Sequence, residues 1–407
     1  MEDEFNRCFV IIIFFYSLSN GFKFLFLRML KKIGLLIVLC TLSQVVYSQA
    51  TKPNFVVRYF NKFIDDSTDK SKIQTLVYPT VGYAPETKWE FGASTVVVGY
   101  AKKDTNNRLS EINGFTFLTS EKQYGGVIEH ALYSNKNTWF LLGKLKIQSF
   151  PLSYHGIGAN TPKEKIAVVD AFSFNWKERF LRNVRRDFYI GLELDFQRMS
   201  RVNFQPYTNE ESLLKPNGYK GFNNFGLGLG LLYDNRHNVL NERHGFFAET
   251  AILVYSKDLG SITNFSSILT DFRYFHPIGK RNVLAIQSVG QFTLGEAPFN
   301  QYALMGGEMM MRGYYLGRFR DKNYISFQTE YRMLPLPFAK KFGLAVFASS
   351  GIIYNKVANL NSQYIKYAGG AGVHYLLFPK KDVWTRIDFA LNNEGGSGLY
   401  LYIGCAF

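Results

Sequence analysis

The chain has 407 residues and a formal net charge of +15, from 47 Lys and Arg against 32 Asp and Glu. An aromatic content of 17% excludes a disordered tail, and three Cys with six His exclude a disulfide scaffold or a multi-zinc protein. With 38 Phe, 26 Tyr and 35 Gly at a mean hydropathy of −0.09, the composition argues against a bundle of membrane helices and for strands that alternate apolar and polar residues.

The first element is a targeting segment. Met29-Leu30-Lys31-Lys32 leads into the apolar run 33–42, and Val46 and Ser48 are small residues at the −3 and −1 positions of a cut before Gln49. A basic start, a short apolar core and a small-residue cut make a signal peptide over residues 1–48. The core is too short for a spanning helix, which needs about 20 residues. The 28 residues before Met29 fit none of this, and translation is expected to start at Met29. A short leader, residues 49–73, follows. In it Phe55, Val56, Tyr59, Phe60, Phe63 and Ile64 fall on one side and Arg58, Asn61 and Lys62 on the other. That spacing predicts one short amphipathic helix, lying on the inner leaflet or plugging the body of the protein.

The rest reads as strands. The pattern places them at 74–84, 89–101, 109–119, 122–133, 137–149, 168–180, 186–199, 222–234, 245–256, 264–275, 282–293, 323–333, 342–353, 364–376, 383–392 and 398–407. In one of them Tyr324, Ser326, Gln328, Glu330 and Arg332 alternate with Ile325, Phe327, Thr329, Tyr331 and Met333. A period of two puts each set on its own face. A soluble sandwich would bury the apolar face in a core; a membrane barrel would turn it to lipid and line its lumen with the polar face. Charges of both signs on the polar faces, aromatics near strand ends and the closing alternation through Phe407 favour the barrel. Sixteen is an even number, which lets an antiparallel sheet close with both termini on one side. The expected fold is therefore all-β, a 16-stranded antiparallel transmembrane β-barrel over 74–407 with a short N-terminal helix. The connections after odd strands include long ones (150–167, 200–221, 294–322) and those after even strands are mostly short, as for outer loops and inner turns. A basic, exported chain without a nucleic-acid motif is expected to meet anionic lipid headgroups of the outer membrane and no nucleic acid.

Four motifs stand in the connections and late strands. The longest outer loop carries Gly306-Gly307 and Arg312-Gly313-Tyr314. Arg312 is a permanent cation with five donors, Gly313 allows a sharp turn and Tyr314 can wedge into packing. The turn after the eighth strand carries Asp234, Arg236 and Gly245-Phe246-Phe247, a charged cap on a strand end with a glycine that permits the turn. Glu330-Tyr331-Arg332 and Arg386-x-Asp388-Phe389-Ala390 follow.

In this order, across 74–407, the four resemble the BamA/TamA-type outer-membrane barrel assembly superfamily, the bacterial surface-antigen barrels. The turn motif is looser here, with Val239 and Glu242 at positions where the family often has proline. The resemblance implies that the 294–322 loop folds back into the lumen and that Arg312 pairs with an acid on the wall. Glu330 has the face and position for that partner. The family commonly adds an Asp in the next strand, where this chain has Ser349, so Glu330 is expected to be the main partner. Relatives that insert barrels usually carry periplasmic repeats, which 49–73 is too short to hold, so the chain resembles a form without them. Pro79 lacks an N–H and belongs on an edge. With Tyr400, Tyr402 and Phe407 of the last strand it marks the seam at which the barrel must close, in relatives a lateral gate for client strands.

No nucleophile, zinc or phosphate-loop motif is present, and the chain is expected not to be an enzyme and to need no cofactor. The expected role is to assist insertion or translocation of proteins, or lipids, at the outer membrane. A passive pore, or a structural barrel working with a separate partner, is the alternative. Expected partners are outer-membrane lipids, client barrel proteins and periplasmic or lipoprotein partners, with the chain itself a monomer.

Overall fold

The computed structural model describes residues 71–84, 88–207, 215–236, 241–379 and 382–407. The signal segment, the leader helix at 55–64 and Val239 lie outside the described residues. The elements are β1 (Gln74–Ala84), β2 (Lys88–Tyr100), β3 (Leu109–Thr119), β4 (Tyr124–Tyr133), β5 (Trp139–Ser149), β6 (Leu152–Tyr154), β7 (Ala167–Arg185), β8 (Phe188–Pro206), β9 (Phe222–Asp234), β10 (Gly245–Tyr255), β11 (Phe265–Ile278), β12 (Asn282–Gly295), β13 (Ala303–Met305), β14 (Phe319–Asp321), β15 (Asn323–Met333), β16 (Phe342–Tyr354), β17 (Lys366–Phe378), β18 (Val383–Asn392) and β19 (Ser397–Ile403). Among the described residues there is no α-helix.

Seventeen strands form one sheet, and β13 and β14 form a small second one. The large sheet is an antiparallel meander in which each long strand pairs with the next, β5 with β7 and β12 with β15. It has one strand more than the alternation predicts because Phe150-Pro151 interrupts the fifth strand: Pro151 has no N–H to give. Beyond the break, β6 resumes the ladder on Val169–Ala167 of β7. Among the described residues no rung joins β1 to β19.

Alternation explains the two faces. Along β15, Tyr324, Ser326, Gln328, Glu330 and Arg332 are buried while Ile325 and Phe327 are exposed. The interior face is polar and ion-paired. Arg179 Nε lies 2.8 Å from Glu193 across the β7–β8 ladder, with Lys177 Nζ 2.7 Å from the same carboxylate, and Arg179 also reaches Glu249 of β10. The opposite face exposes Trp89, Phe91, Ile128, Leu192, Leu229, Phe272, Val346 and Leu399. A charge sequestered on one side needs a counter-charge, and these strands supply it from neighbours.

The last strand differs from expectation. β19 ends at Ile403, and Gly404, at φ 91°, turns the chain inward. Cys405, Ala406 and Phe407 are buried, Phe407 against Phe275 with ring centroids 6.2 Å apart. The alternation through Phe407 is therefore not a continuous strand face; a left-handed glycine ends it.

Candidate functional site

The connection from β12 to β15 lies against the interior face. β13 and β14 form its stem, and Ala303, Met305, Met310, Met311, Tyr314 and Phe319 pack on Tyr324, Ile353 and Ala368 of the wall. Burial of this apolar surface holds the loop inward. Gly306 and Gly307 have φ of 109° and 115°, and a Cβ on Gly306 would strike the Tyr315 carbonyl oxygen. Gly307 N–H donates to Tyr314 O at 3.1 Å. The two glycines thus make the bend that brings Arg312 to the wall.

Arg312 is 1% exposed and gripped from two sides. Its Nη2 is 2.6 Å from Glu330 Oε2 of β15 and its Nη1 2.6 Å from Asp388 Oδ2 of β18. Its guanidinium lies over the Phe347 ring of β16, 3.4 Å from the centroid. Glu330 also accepts from Arg332 Nε at 2.7 Å, and Asp388 from Arg386. The acid that joins Glu330 thus comes from β18, three strands away; Ser349 instead donates to Ala368 O. Gly313, at φ 106°, donates its N–H to Tyr400 Oη of β19 at 2.8 Å and accepts from Asn392 Nδ2 at 2.6 Å. Tyr314 donates its hydroxyl to Asn393 Oδ1 at 2.5 Å, and burial pushes its phenol up. The loop therefore holds β15, β18 and the β18–β19 turn together. Tyr402 stands opposite Arg386 in the β18–β19 register, and Pro79 opposite Ala93.

A second network occupies the end where β9 meets β10. Asp234 Oδ1 accepts from the backbone N–H and Nε of Arg236, each at 3.0 Å, and Arg236 Nη1 reaches Glu242 at 2.8 Å. Burial works against the Arg236 charge, but Asp234 and Glu242 outweigh it and hold the guanidinium above its usual range. Arg108, from the β2–β3 turn, pairs with Asp234 at 3.1 Å and Asp187 at 3.0 Å. Gly245, at φ 119°, opens β10 where a Cβ would lie 3.1 Å from Arg236 Cα. Beyond Glu242 the connection crosses to other turns. Arg243 Nε and Asn241 Nδ2 each donate to Asp382 at 2.8 Å, and Arg243 Nη1 to Leu334 O at 2.8 Å. Arg332 joins the two networks: it is 3.7 Å from Glu242, bonded to Glu330, and donates to Phe407 O at 2.9 Å.

A second apolar cluster stands at the opposite end. Tyr154, Ile166, Phe222 and Phe299 pack together, and Arg320 is buried within 5.3 Å of the Tyr154 ring centroid and 5.7 Å of that of Phe299. Burial lowers the Arg320 guanidinium to about 10. Arg318 meets Glu394 at 3.0 Å and Thr161 Oγ1 at 2.8 Å. Sequence reasoning passed over Asp388 as a partner of Arg312, and over Glu242 and Asp382. Asp388 was legible as an interior residue from alternation, but which strands face each other across the interior is not.

Residues 147–377 match the Omp85 superfamily domain. Among solved structures, BamA from Haemophilus ducreyi lacking POTRA domains 1-3 superposes with a TM-score of 0.51 at 14% identity, over 82% of this chain and 69% of that one. CdiB from Acinetobacter baumannii gives a TM-score of 0.51 at 11% identity, over 81% of this chain and 59% of that one, so this chain spans less than two thirds of its length. At these identities the likeness is one of fold. No curated protein matches the chain by sequence.

Proposed function

We propose that this chain, which belongs to the Omp85 superfamily, is exported by its signal peptide, spans the bacterial outer membrane as a barrel closed between β1 and β19, and assists insertion or translocation of proteins there. The observation that carries this reading is the grip of the interior loop on the closing strand, through Gly313 N–H to Tyr400 at 2.8 Å. β19 has seven residues, against 11 in β1 and 19 in β7 and β8. A seam between a short strand and one that carries Pro79, which has no N–H to give, has fewer ladder bonds to form than the rest of the sheet. It is the place where a client strand would enter by β-augmentation, and the loop sets how firmly β19 is held. Outer-membrane lipids meet the exposed apolar face; clients meet the seam.

The test is a panel of cysteine pairs across β1 and β19 in cells depleted of the native protein. Loss of a defined set of other outer-membrane proteins when the seam is oxidised, and their return on reduction, supports the reading. A locked seam that restores the full outer-membrane proteome overturns it.

A passive pore is the second reading. It is favoured by two interior cavities of about 260 and 510 Å³ that the loop leaves open on the β3–β11 side, lined by charged residues such as Glu129, Lys144, Arg179 and Arg273. Steady bilayer conductance of the wild-type protein, with solute uptake lost on depletion and the proteome intact, would decide for the pore.

A further inference from the structure

Two arginines of β8 stand without a counter-charge. Arg198 and Arg201 are exposed, and among the described residues neither side chain makes an ion pair or a hydrogen bond. Asp170, the acid of β7 at this level, accepts from Gln205 instead. The interior arginines of the two networks, by contrast, are each held by carboxylates.

The register places Arg198 on the apolar face. It stands opposite Phe174 of β7, in a rung with Ile147 of β5 and Gly126 of β4. The rung on one side carries Phe196 and the exposed Trp176 and Ile128. The rung on the other carries Ser200, Phe172, Ser149 and Tyr124. Arg201 reaches the same face by a bulge. Between the Phe172–Ser200 and Asp170–Asn203 pairs, β7 has Ala171 alone and β8 has both Arg201 and Val202. Val202 packs on the cluster of Tyr154 and Phe299. Arg201 takes φ 55°, a left-handed conformation unfavourable to a residue with a Cβ. A bulge re-aims a side chain, and this one brings a second cation beside the first.

The two guanidinium groups border a hollow of about 640 Å³, whose other walls are Tyr124, Phe172, Phe174, Phe196 and Ser200. It exists because Phe172 has a serine on either side in its rung, Ser149 and Ser200. Phe174 and Phe196 meet edge to face, with centroids 5.8 Å apart. One site thus offers apolar rings and two unanswered positive charges.

Its level follows from β5. Trp139 opens that strand opposite Arg182, whose guanidinium lies 5.8 Å from the indole ring, an arrangement suited to a membrane boundary. Ser149, in the rung of Tyr124 and Phe172, ends it. The strand has 11 residues, and ten steps of about 3.4 Å at a tilt near 40° rise about 26 Å, against an apolar band about 25 Å tall in membrane barrels. The hollow therefore falls at the opposite boundary, with its rings at the edge of the hydrocarbon and its arginines at the level of the headgroups. Phosphate is the anion of that layer, and the guanidinium fork matches it.

We infer that this hollow binds an anionic, phosphate-bearing lipid of the outer leaflet, with Arg198 and Arg201 on the phosphate and Phe172, Phe174 and Phe196 against the upper part of an acyl chain. A soluble phosphate compound would leave the rings uncovered, and an uncharged lipid would leave both cations unanswered. The inference rests on the membrane-spanning reading above, and gives the anionic headgroups expected from composition one address on the sheet.

The experiment is native mass spectrometry of the full chain released from dioleoyl phosphatidylcholine nanodiscs that also contain dioleoyl phosphatidic acid or, separately, dioleoylglycerol, which has the same chains without the phosphate. Wild-type protein is expected to retain phosphatidic acid in preference to phosphatidylcholine, and to retain no dioleoylglycerol. Arg198→Gln with Arg201→Gln is expected to weaken retention at least about tenfold while the folded, heat-modifiable form persists. Ser200→Trp, which fills the hollow and leaves both arginines, should do the same. Glycerol 3-phosphate, a phosphate without chains, should not compete. Retention that survives the loss of both arginines overturns the inference, as does equal retention of dioleoylglycerol. Competition by glycerol 3-phosphate also overturns it, in favour of a site for soluble phosphate compounds. So does a wild-type protein that enters the bilayer and shows no preference for phosphatidic acid. Failure to enter a bilayer at all would instead sink the membrane-spanning reading.

Discussion

Arg312 does a job that lysine cannot. Its two terminal nitrogens bond two carboxylates from different strands while its plane lies on the Phe347 ring, whereas an ammonium is a point charge without that fork. Arg312→Ala leaves Glu330 and Asp388 buried with a cation removed between them, and is expected to cost about 3–5 kcal/mol, read as a lower temperature of loss of the folded band on semi-native gels. Arg312→Lys should recover less than half of that loss. Gly313→Ala forces a side chain into φ 106° and towards the Leu391 backbone at 3.1 Å. It is expected to cost at least about 1 kcal/mol and to make the loop easier to cleave by protease. At this scale the sequence was legible where a motif stood in one stretch, as with Gly306, Gly307 and Arg312. It was not legible for His130 of β4 and Glu178 of β7, which look like lapses in alternation until the register shows them meeting at 3.0 Å over Gly143 of β5.

Elements reveal where alternation stops being informative. The strand positions followed from a period of two, and the pairing of successive long strands in the large sheet follows from the tendency of consecutive elements to lie side by side. The inward turn at Gly404 did not, because Cys405 and Phe407 keep the alternating spacing while the backbone leaves the ladder. Cys405 is buried, and burial pushes its thiol up to about 12. Alkylation at neutral pH should therefore be slow. Gly404→Ala, which strains the turn at φ 91°, is expected to raise its rate at least tenfold (about 1.4 kcal/mol of opening), measured by mass spectrometry of the labelled peptide. The segment after β6 makes a different prediction. His155 Nδ1 donates to Pro162 O at 3.3 Å, and burial and then Arg318 and Arg320 nearby hold its pKa below the ordinary 6.5. A base whose folded pKa is lowered favours the fold above its ordinary pKa and opposes it as pH falls below that value. Protease nicking at 156–165 should thus increase between neutral pH and about pH 5, and His155→Gln should flatten that dependence. An unchanged profile in the variant would assign the effect elsewhere.

Across the whole molecule, alternating charges run from Arg108 through Asp234, Arg236, Glu242, Arg332, Glu330 and Arg312 to Asp388. Each cation lies between acids and each inner acid between cations, so deleting one member leaves its neighbours unbalanced. Glu242→Gln and Asp388→Asn are therefore expected to be non-additive, with a coupling of about 0.5–1 kcal/mol in a double-mutant cycle of unfolding. Strict additivity would mean that the two ends are held independently. Asp234 with Arg236, and Glu330 as the partner of Arg312, were expected; the links that join them were not readable from spacing, since the members come from five turns or strands far apart in sequence.

The cluster of Tyr154, Ile166, Phe222, Phe299 and the buried Arg320 has a consequence for traffic. In the membrane-spanning reading proposed above, with these loops turned outward, a toxin, an antibody or a nutrient arriving from that side would meet packed aromatic rings around a buried cation first.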